Sequence, residues 1–209
     1  MQLLNFGFLD RFEDALVILL THQIFLAPIL LLTIEEAGFP LPIADFTIAY
    51  TGYQVSLGHI SFLTAFIMLL IADLLGASIL YFLCSRYGPH IIEKFGKYIH
   101  LDQHKLNLVE EKFRKYGSFF IIFGRHIPGF RIPITVFSGI SEMTYVAFII
   151  STFISIVWWI PFYLIVGQRL GSRTIQLLHA NGWFALFFFL PLVFSIAPFF
   201  FLRKKTKNS

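Results

Sequence analysis

Six Asp, Glu and Arg side chains lie inside otherwise apolar segments of this 209-residue chain, where a charge needs a partner or water. Four are acids in the first half and two are arginines in the second: Glu35, Glu36, Asp45, Asp73, Arg125 and Arg131. A planar guanidinium suits a pair of phosphate oxygens and stays charged at any accessible pH. Partial dehydration can raise the pKa of a carboxyl group towards neutrality, which allows it to carry a proton. The residue types therefore predict an anion site beside a proton-binding site.

These six side chains have two interpretations, which the sequence alone leaves open. In the functional one, Arg125 and Arg131 bind an anionic headgroup. The four acids are then the proton carriers, with Glu35 and Asp45 as the first candidates. In the structural one, ion pairs among the same residues only hold the segments together. Asp73, in the middle of a predicted span, either lines the shared polar cavity or hydrogen-bonds a neighbouring helix.

The composition excludes a soluble globular protein and a disordered chain. Hydrophobic residues make up 57% of the sequence and charged residues 13%, whereas a soluble domain has about 25% charged residues. The mean hydropathy is +0.76. The net charge of +4 is uneven: residues 12–85 contain six acids and no Lys or Arg, whereas residues 112–209 contain eleven Lys and Arg and one acid. Because the positive charges alternate with long apolar runs, a membrane is the expected partner and nucleic acid is not.

Four segments are apolar over about the 20 residues that a membrane-spanning helix needs. They are residues 15–33, 61–85, 145–166 and 183–202. Whether the first, which Pro28 interrupts, crosses the membrane or lies on its surface stays open. The Lys and Arg residues directly after the last segment predict a cytoplasmic C-terminus. Trp158, Trp159 and Trp183 are predicted to anchor helix ends at the membrane interface.

Two further apolar segments, residues 34–53 and 119–140, hold most of the charged residues of the predicted site together with several glycines and prolines. Proline removes a helical hydrogen bond and clashes with the preceding turn. A backbone interrupted in this way is tolerated at membrane depth only where protein or a water-filled cavity satisfies its polar groups. We therefore predict two re-entrant hairpins, the first entering the membrane from outside and the second from inside.

The segment between the two halves, residues 86–116, contains seven Lys and Arg with four acids. Its apolar residues recur at helical spacing, which predicts an amphipathic helix on the cytoplasmic surface. With four spans and two re-entrant hairpins, both termini are then expected in the cytoplasm.

The order of features recurs in the two halves, which indicates an internal repeat. The corresponding residues are Pro40, Gly52, Tyr81 and Gly88 in the first half, and Pro128, Gly139, Tyr163 and Gly171 in the second. Two units of opposite orientation are typical of inverted-repeat transporters, whose sites lie near the midplane between the repeats. The sequence thus predicts an all-α integral membrane protein, an inverted repeat of two re-entrant hairpins plus transmembrane helices.

We expect one membrane domain over residues 1–209. Its parts are a first half over about 30–88, an amphipathic linker over 89–116, a second half over about 117–172, a span over 183–202 and a basic tail over 203–209. The acids before the first apolar run do not match a secretory signal, so the whole chain is expected in the mature protein.

Residues 123–131 read Phe-Gly-Arg-His-Ile-Pro-Gly-Phe-Arg, and Ser-Gly-Ile and a Met follow soon after. This stretch resembles the signature of the DedA family, bacterial membrane proteins within the wider VTT (SNARE-associated) group. Residues 35–42 resemble the family's acidic segment with its Gly and two Pro, and residues 71–88 resemble a further family run with Asp, Tyr and Gly. The similarity covers roughly residues 30–172.

The resemblance implies a lipid-handling transporter of the bacterial cytoplasmic membrane, linked to recycling of undecaprenyl phosphate, to phospholipid flipping and to the proton gradient. The family's functional residues match four positions of this sequence: Glu35, Arg125, Pro128 and Arg131. Asp45 stands about one place away from the family's second carboxylate. Ala72 replaces the usual Gly before Asp73, and His126 replaces an aromatic residue.

We therefore predict a flippase that moves a lipid phosphate such as undecaprenyl phosphate with proton coupling, in which Arg125, Arg131 and Pro128 bind the substrate. The alternatives are a flippase or scramblase for a phospholipid such as phosphatidylethanolamine, a proton-coupled exporter of small cations or drugs, and a membrane scaffold. No metal-ligand motif, phosphate-binding glycine loop or nucleophile–base pair occurs in the sequence, so no cofactor, no metal and no enzyme activity are expected. The lipid headgroup, the direction of transport and a possible homo-oligomer are left open.

Overall fold

The computed structural model describes five stretches of the chain and three isolated positions. The stretches are residues 18–39, 43–88, 115–127, 130–141 and 143–170, and the positions are 15, 111 and 113. All regular structure in this part of the chain is α-helical, and no strand occurs there. Most of the predicted amphipathic linker, the last predicted span and Pro128 lie outside the described residues, so those predictions stay predictions.

Six helices have both of their ends within the described residues. They are α1 (Leu26–Glu36), α2 (Ala44–Ser56), α3 (Phe62–Tyr87), α4 (Ser118–Gly124), α5 (Arg131–Ile140) and α6 (Tyr145–Leu170). α3 and α6 have 26 residues each, and this length exceeds the ~20 residues that cross the hydrocarbon core of a bilayer. Both are long and apolar enough to cross a membrane, which confirms the helices predicted over residues 61–85 and 145–166.

One face of α3 carries a row of large apolar side chains at every fourth position. The row consists of Leu63, Ile67, Ile71, Leu75 and Ile79, each 45–64% exposed. A contiguous exposed apolar surface of this kind marks contact with a partner or a membrane. Together with the apolar composition of the whole chain, the row supports contact between α3 and lipid.

The candidate span over residues 15–33 is not one continuous helix. A helical segment that ends at His22 is followed by a break at residues 23–25, and α1 begins at Leu26. Pro28 explains the new start, because proline fits the first turn of a helix, where its missing N–H would have no partner. α1 then continues to Glu36. The two neighbouring glutamates therefore end a helix instead of lying inside a loop.

α3 packs against residues from both halves of the chain. Its Leu69 is fully buried in an apolar core that also contains Ile48 of α2 and Ile160 of α6. Further along α3, the ring of Tyr81 stacks on Phe148 of α6 with centroids 4.8 Å apart. Because lipid is as apolar as these side chains, such contacts stabilise membrane helices through van der Waals packing.

The four short helices exchange packing partners between the two halves. α1 packs on α3 and α2 on α6, whereas α4 packs on α6 and α5 on α3. Gly52 of α2 lies against the backbone carbonyl of Leu164 in α6, and Gly139 of α5 lies against that of Tyr81 in α3. A Cβ atom at residue 139 would lie 2.6 Å from the Tyr81 oxygen, so the neighbouring backbone would have to move. Small residues at both crossings thus let the helices approach closely, as is common in membrane proteins.

Replacement of Gly52 by alanine is expected to lower the thermal unfolding midpoint in detergent by about 5 °C, since overpacking costs about 1–3 kcal/mol. The sign is informative, because alanine normally stabilises a helix relative to glycine by about 0.5–1 kcal/mol. Ser56→Ala, on the exposed end of the same helix, is the control and should leave the midpoint unchanged. An equal or higher midpoint for Gly52→Ala would contradict the close α2–α6 contact.

Candidate functional site

Five charged residues from five segments of the chain meet at one place. They are Glu36 at the end of α1, Asp45 in the first turn of α2, Asp73 in α3, Arg125 directly after α4 and Arg131 at the start of α5. Ion pairs with nitrogen–oxygen distances of 2.7–3.4 Å connect the acids of the first half to the arginines of the second. Of the six charged residues predicted from the sequence, only Glu35 stands outside these pairs.

Glu36 connects the two arginines. Its Oε2 accepts a hydrogen bond from Arg125 Nη2 at 2.7 Å, and its Oε1 accepts one from Arg131 Nη1 at 2.8 Å. The Glu36 side chain is 1% exposed. Gly76 of α3 explains how α1 comes so close, because a Cβ atom there would lie 2.5 Å from the Cβ atom of Glu36. The absence of a side chain at Gly76 thus brings Glu36 into the cluster.

Arg125 is as enclosed as Glu36 and has more partners in the cluster. Besides its bond to Glu36, Nη2 donates to Asp73 Oδ1 at 3.1 Å and Nη1 donates to Thr135 Oγ1 at 2.8 Å. The Arg125 side chain is 1% exposed. A buried guanidinium is tolerated only where acceptors meet its charge and its N–H groups. A ligand could therefore reach these two nitrogens only by displacing a protein partner.

Arg131 and Asp45 form the accessible end of the cluster. Arg131 Nη2 lies 3.4 Å from Asp45 Oδ1, the longest of the described ion-pair distances in the cluster. The Arg131 side chain is 16% exposed and that of Asp45 is 27% exposed, compared with 1% for Arg125. This pair is therefore the part of the site that an external ligand can reach first.

Glu35 lies at the edge of the cluster, not at its centre. Its Oε2 accepts a hydrogen bond from the backbone N–H of Ile43 at 3.2 Å, which ties the end of α1 to the segment just before α2. Within the described part of the chain, no arginine or lysine lies within ion-pair distance of Glu35. Its neighbour Glu36, which was not one of the first two candidates for proton binding, makes the direct contacts with both arginines.

Trp159 is a member of the site that the sequence analysis missed. Its indole Nε1 donates a hydrogen bond to Asp45 Oδ1 at 3.0 Å. The prediction that it anchors a helix end at the interface is wrong, because the residue is 2% exposed and lies fifteenth among the 26 residues of α6. The position of Trp159 in the sequence could have shown this, because a tryptophan in the middle of a span is too far from either interface to serve as an anchor.

The charged cluster lies halfway along both long helices. Asp73 is the twelfth of 26 residues in α3, and Trp159 occupies a similar position in α6. At about 1.5 Å per residue, each lies roughly 15–20 Å from either end of its helix. If both helices cross a bilayer, the arginines and acids are therefore near its midplane.

The cluster has more acid than base. Four carboxylates, including Glu35, and two guanidiniums give a formal charge of −2 when every group is ionised. Such a group can bind protons and can exchange an internal carboxylate for an external anion. Within the described residues, no group of three or more His, Cys, Asp or Glu is arranged to hold a metal ion.

Comparison with known proteins gives a family match over most of this region. The family described as VTT domain matches residues 41–169. "Undecaprenyl phosphate transporter A" of Bacillus subtilis is 29% identical over 78% of this chain and 82% of its own length. The protein with the same name from Staphylococcus aureus is 25% identical over 83% and 87% of the two chains. A Lactococcus lactis relative named "Alkaline phosphatase-like protein" is 25% identical over 84% and 85%. No solved structure gives a significant match.

Proposed function

Because this chain belongs to the VTT domain family, which includes the DedA proteins, we propose that it moves a lipid phosphate across the bacterial cytoplasmic membrane with proton coupling. The predicted family membership is confirmed, and relatives named as undecaprenyl phosphate transporters support a transporter of lipid-linked substrate. Undecaprenyl phosphate is the proposed substrate. The polyprenyl tail stays in the bilayer beside the protein while the phosphate passes through the site.

The geometry that carries this proposal is the bridge from Glu36 to the two arginines. Two carboxylate oxygens accept hydrogen bonds from two guanidiniums at 2.7 and 2.8 Å. A phosphate group offers oxygens of the same charge type and similar spacing, and arginine binds such pairs well. The carboxylate thus occupies the arginines in the way that a substrate phosphate would. Transport then requires the phosphate to replace the Glu36 carboxylate on the arginines.

The charge of the cluster supports the proposed proton coupling. A formal charge of −2 repels an incoming phosphate, and each proton taken up by a carboxylate removes one negative charge. Proton binding therefore favours phosphate binding, and proton release favours phosphate release. In this scheme Glu36 and Asp45 release the arginines when protonated, and Asp73 balances the charge of Arg125. Glu35, at the edge, passes protons between the cluster and the surface.

We further propose that the fold is an inverted repeat with re-entrant hairpins formed by α1–α2 and α4–α5. The exchange of packing partners supports this, since each half places its first short helix on its own long helix and its second on the other. The matched crossings at Gly52 and Gly139 also support it. In such transporters the substrate site lies at the midplane between the repeats. The proposal keeps both termini and the amphipathic linker in the cytoplasm, as the sequence predicts.

Reconstitution into liposomes with labelled undecaprenyl phosphate tests the proposal. Wild-type protein is expected to move the lipid between leaflets, and Arg131→Ala to do so about 100-fold more slowly, since loss of a charged binding partner costs about 2–5 kcal/mol. Arg169→Ala is the matched control, because this exposed arginine lies at the far end of α6. Wild-type transport no faster than that of Arg131→Ala would reject the assignment.

The same vesicles separate the alternative functions. Labelled phosphatidylethanolamine in place of the polyprenyl lipid identifies a phospholipid flippase or scramblase, and a trapped fluorescent cation identifies an exporter. Inorganic phosphate released from the lipid is measured in parallel, because one relative is named as phosphatase-like. Phosphate release that depends on Arg131 would favour a hydrolase, whereas lipid movement without release supports the transporter.

A further inference from the structure

The indole of Trp159 is held rigidly on the side of the cluster that belongs to α6. The ring of His126 stacks on it with centroids 4.0 Å apart and an angle of 25° between the planes. His126 Nε2 is in turn 2.9 Å from the hydroxyl of Ser155, one turn earlier in α6. The ring of Trp158 meets the same imidazole in an edge-to-face arrangement, with centroids 4.4 Å apart. These neighbours leave the indole little freedom to turn.

Trp159 and Arg131 donate to the same oxygen of Asp45. The distance from Oδ1 is 3.0 Å to the indole nitrogen and 3.4 Å to Arg131 Nη2. The uncharged donor is therefore closer than the charged one, although ion pairs are normally the shorter contacts. The pair between Asp45 and Arg131 is thus the longer of the two contacts.

The two donors also lie on different helices. Asp45 is on α2, which packs on α6, the helix that carries Trp159. Arg131 is on α5, which packs on α3. A displacement of α5 and α3 relative to α2 and α6 would thus break the pair between Asp45 and Arg131 but leave the hydrogen bond from the indole intact.

We propose that Trp159 is a positioning residue that holds Asp45 away from Arg131, so that a phosphate can replace this carboxylate on the arginine. The inference rests on the proposed function, because it assigns Arg131 to the substrate. A half-buried carboxylate that loses an arginine needs another donor, and the indole N–H supplies it. Without this donor, Asp45 moves onto Arg131 and competes more strongly with the substrate.

His126 acts on Asp45 indirectly, through Trp159. The imidazole touches neither Asp45 nor an arginine in the described hydrogen bonds, but it fixes the plane of the indole through stacking and is itself fixed by Ser155. His126→Phe keeps an aromatic ring at this position and should preserve the effect of Trp159. His126→Ala removes the stack and should act like loss of Trp159.

A spectroscopic experiment tests the contact independently of lipid binding. The full chain is labelled with 15N-tryptophan in detergent micelles, and the indole signal that disappears in Trp159→Phe is assigned to Trp159. Asp45→Asn replaces a charged acceptor by a neutral one and is expected to shift this signal upfield. An unchanged Trp159 signal in Asp45→Asn would overturn the proposal, whether or not the protein transports lipid.

A binding experiment tests the consequence. The dissociation constant for a short-chain polyprenyl phosphate is measured in micelles for four proteins: wild type, Trp159→Phe, Asp45→Asn and the double variant. Trp159→Phe is expected to bind about tenfold more weakly, since hydrogen bonds to charged groups contribute about 1.5–3 kcal/mol. Arg169→Ala, at the exposed end of α6, is the control and should bind as the wild type does.

The double variant separates positioning from a general loss of structure. If Trp159 acts through Asp45, its replacement changes the dissociation constant by less than about twofold once Asp45 is asparagine. Equal losses in both backgrounds would show that the effect does not pass through Asp45 and would overturn the proposal. If the wild type binds no polyprenyl phosphate, the proposed function fails, and the indole shift alone decides whether Trp159 positions Asp45.

Discussion

Replacement of Glu36 by glutamine is expected to lower the thermal unfolding midpoint in detergent by roughly 10 °C and to abolish lipid transport. The side chain is 1% exposed and accepts one hydrogen bond from each arginine. A glutamine keeps one acceptor oxygen but turns an NH2 group towards a guanidinium, so that donor faces donor. Removing one partner of a buried ion pair costs about 3–5 kcal/mol, because the remaining charge is left without compensation.

Glu35→Gln is the matched control for this experiment. It makes the same chemical change at the adjacent residue of the same helix, but Glu35 accepts only a backbone N–H at 3.2 Å in the described contacts. A glutamine oxygen can accept that bond equally well, so the midpoint should stay within about 2 °C of the wild type. Transport should be slowed but measurable if Glu35 passes protons to the cluster. Equal destabilisation by the two variants would contradict the central position of Glu36.

Arg125→Lys is expected to destabilise the protein. Arg131→Lys is expected to leave it folded but to slow its transport of lipid. Arg125 donates to Glu36, Asp73 and Thr135 at 2.7–3.1 Å from two separate nitrogens. A lysine has a single ammonium nitrogen and cannot reach acceptors on three helices from one point. The expected loss for Arg125→Lys is about 3 kcal/mol, measured as a lower unfolding midpoint in detergent.

Arg131→Lys is expected to differ because the side chain of Arg131 is more exposed than that of Arg125. Arg131 is 16% exposed, so an ammonium there keeps some contact with water, and the midpoint should change by less than about 3 °C. Its transport rate should fall about tenfold, because a lysine cannot bind two phosphate oxygens in the bidentate manner of arginine. Both measurements use the same two proteins. Similar stability losses at the two positions would show that the arginines do not differ in role.

The sequence predicted that the charged residues meet, but it did not predict their individual contacts. The cost of burying charge was sufficient to predict that acids and arginines from distant segments meet, and the ion pairs of Asp73 and Arg125 agree with this. The lengths of the apolar segments were sufficient to predict α3 and α6. These inferences depend on energies large enough to act in any fold of this composition.

The choice between two adjacent glutamates could not be made from the sequence. Neighbouring residues of a helix point about 100° apart, so only the rotation of α1 about its own axis decides which one faces the arginines. That rotation is set by the close contact with Gly76 and by the hydrogen bond from Thr33 Oγ1 to the carbonyl of Ala72. Both are contacts between α1 and α3 that have no pattern in either segment alone.

The contact of Trp159 with Asp45 could not be predicted from the sequence for a different reason. Its residue type suggested an interface anchor, and the general preference of tryptophan for interfaces outweighed its place at mid-span. The hydrogen bond to Asp45 joins residues 114 positions apart. Such a pair becomes visible only when α2 is known to pack on α6.

The short helices form two groups, here called bodies, according to the long helix on which each packs, and the two long helices also pack on each other. One consists of α3 with α1 and α5, and the other of α6 with α2 and α4. The contacts Glu36–Arg131 and Asp45–Trp159 each lie within one body, whereas Arg125 reaches across to Glu36 and Arg131 reaches across to Asp45. A relative displacement of the bodies would therefore break the crossing ion pairs together and preserve the internal contacts. Such a displacement would free both arginines from the opposite body in one step.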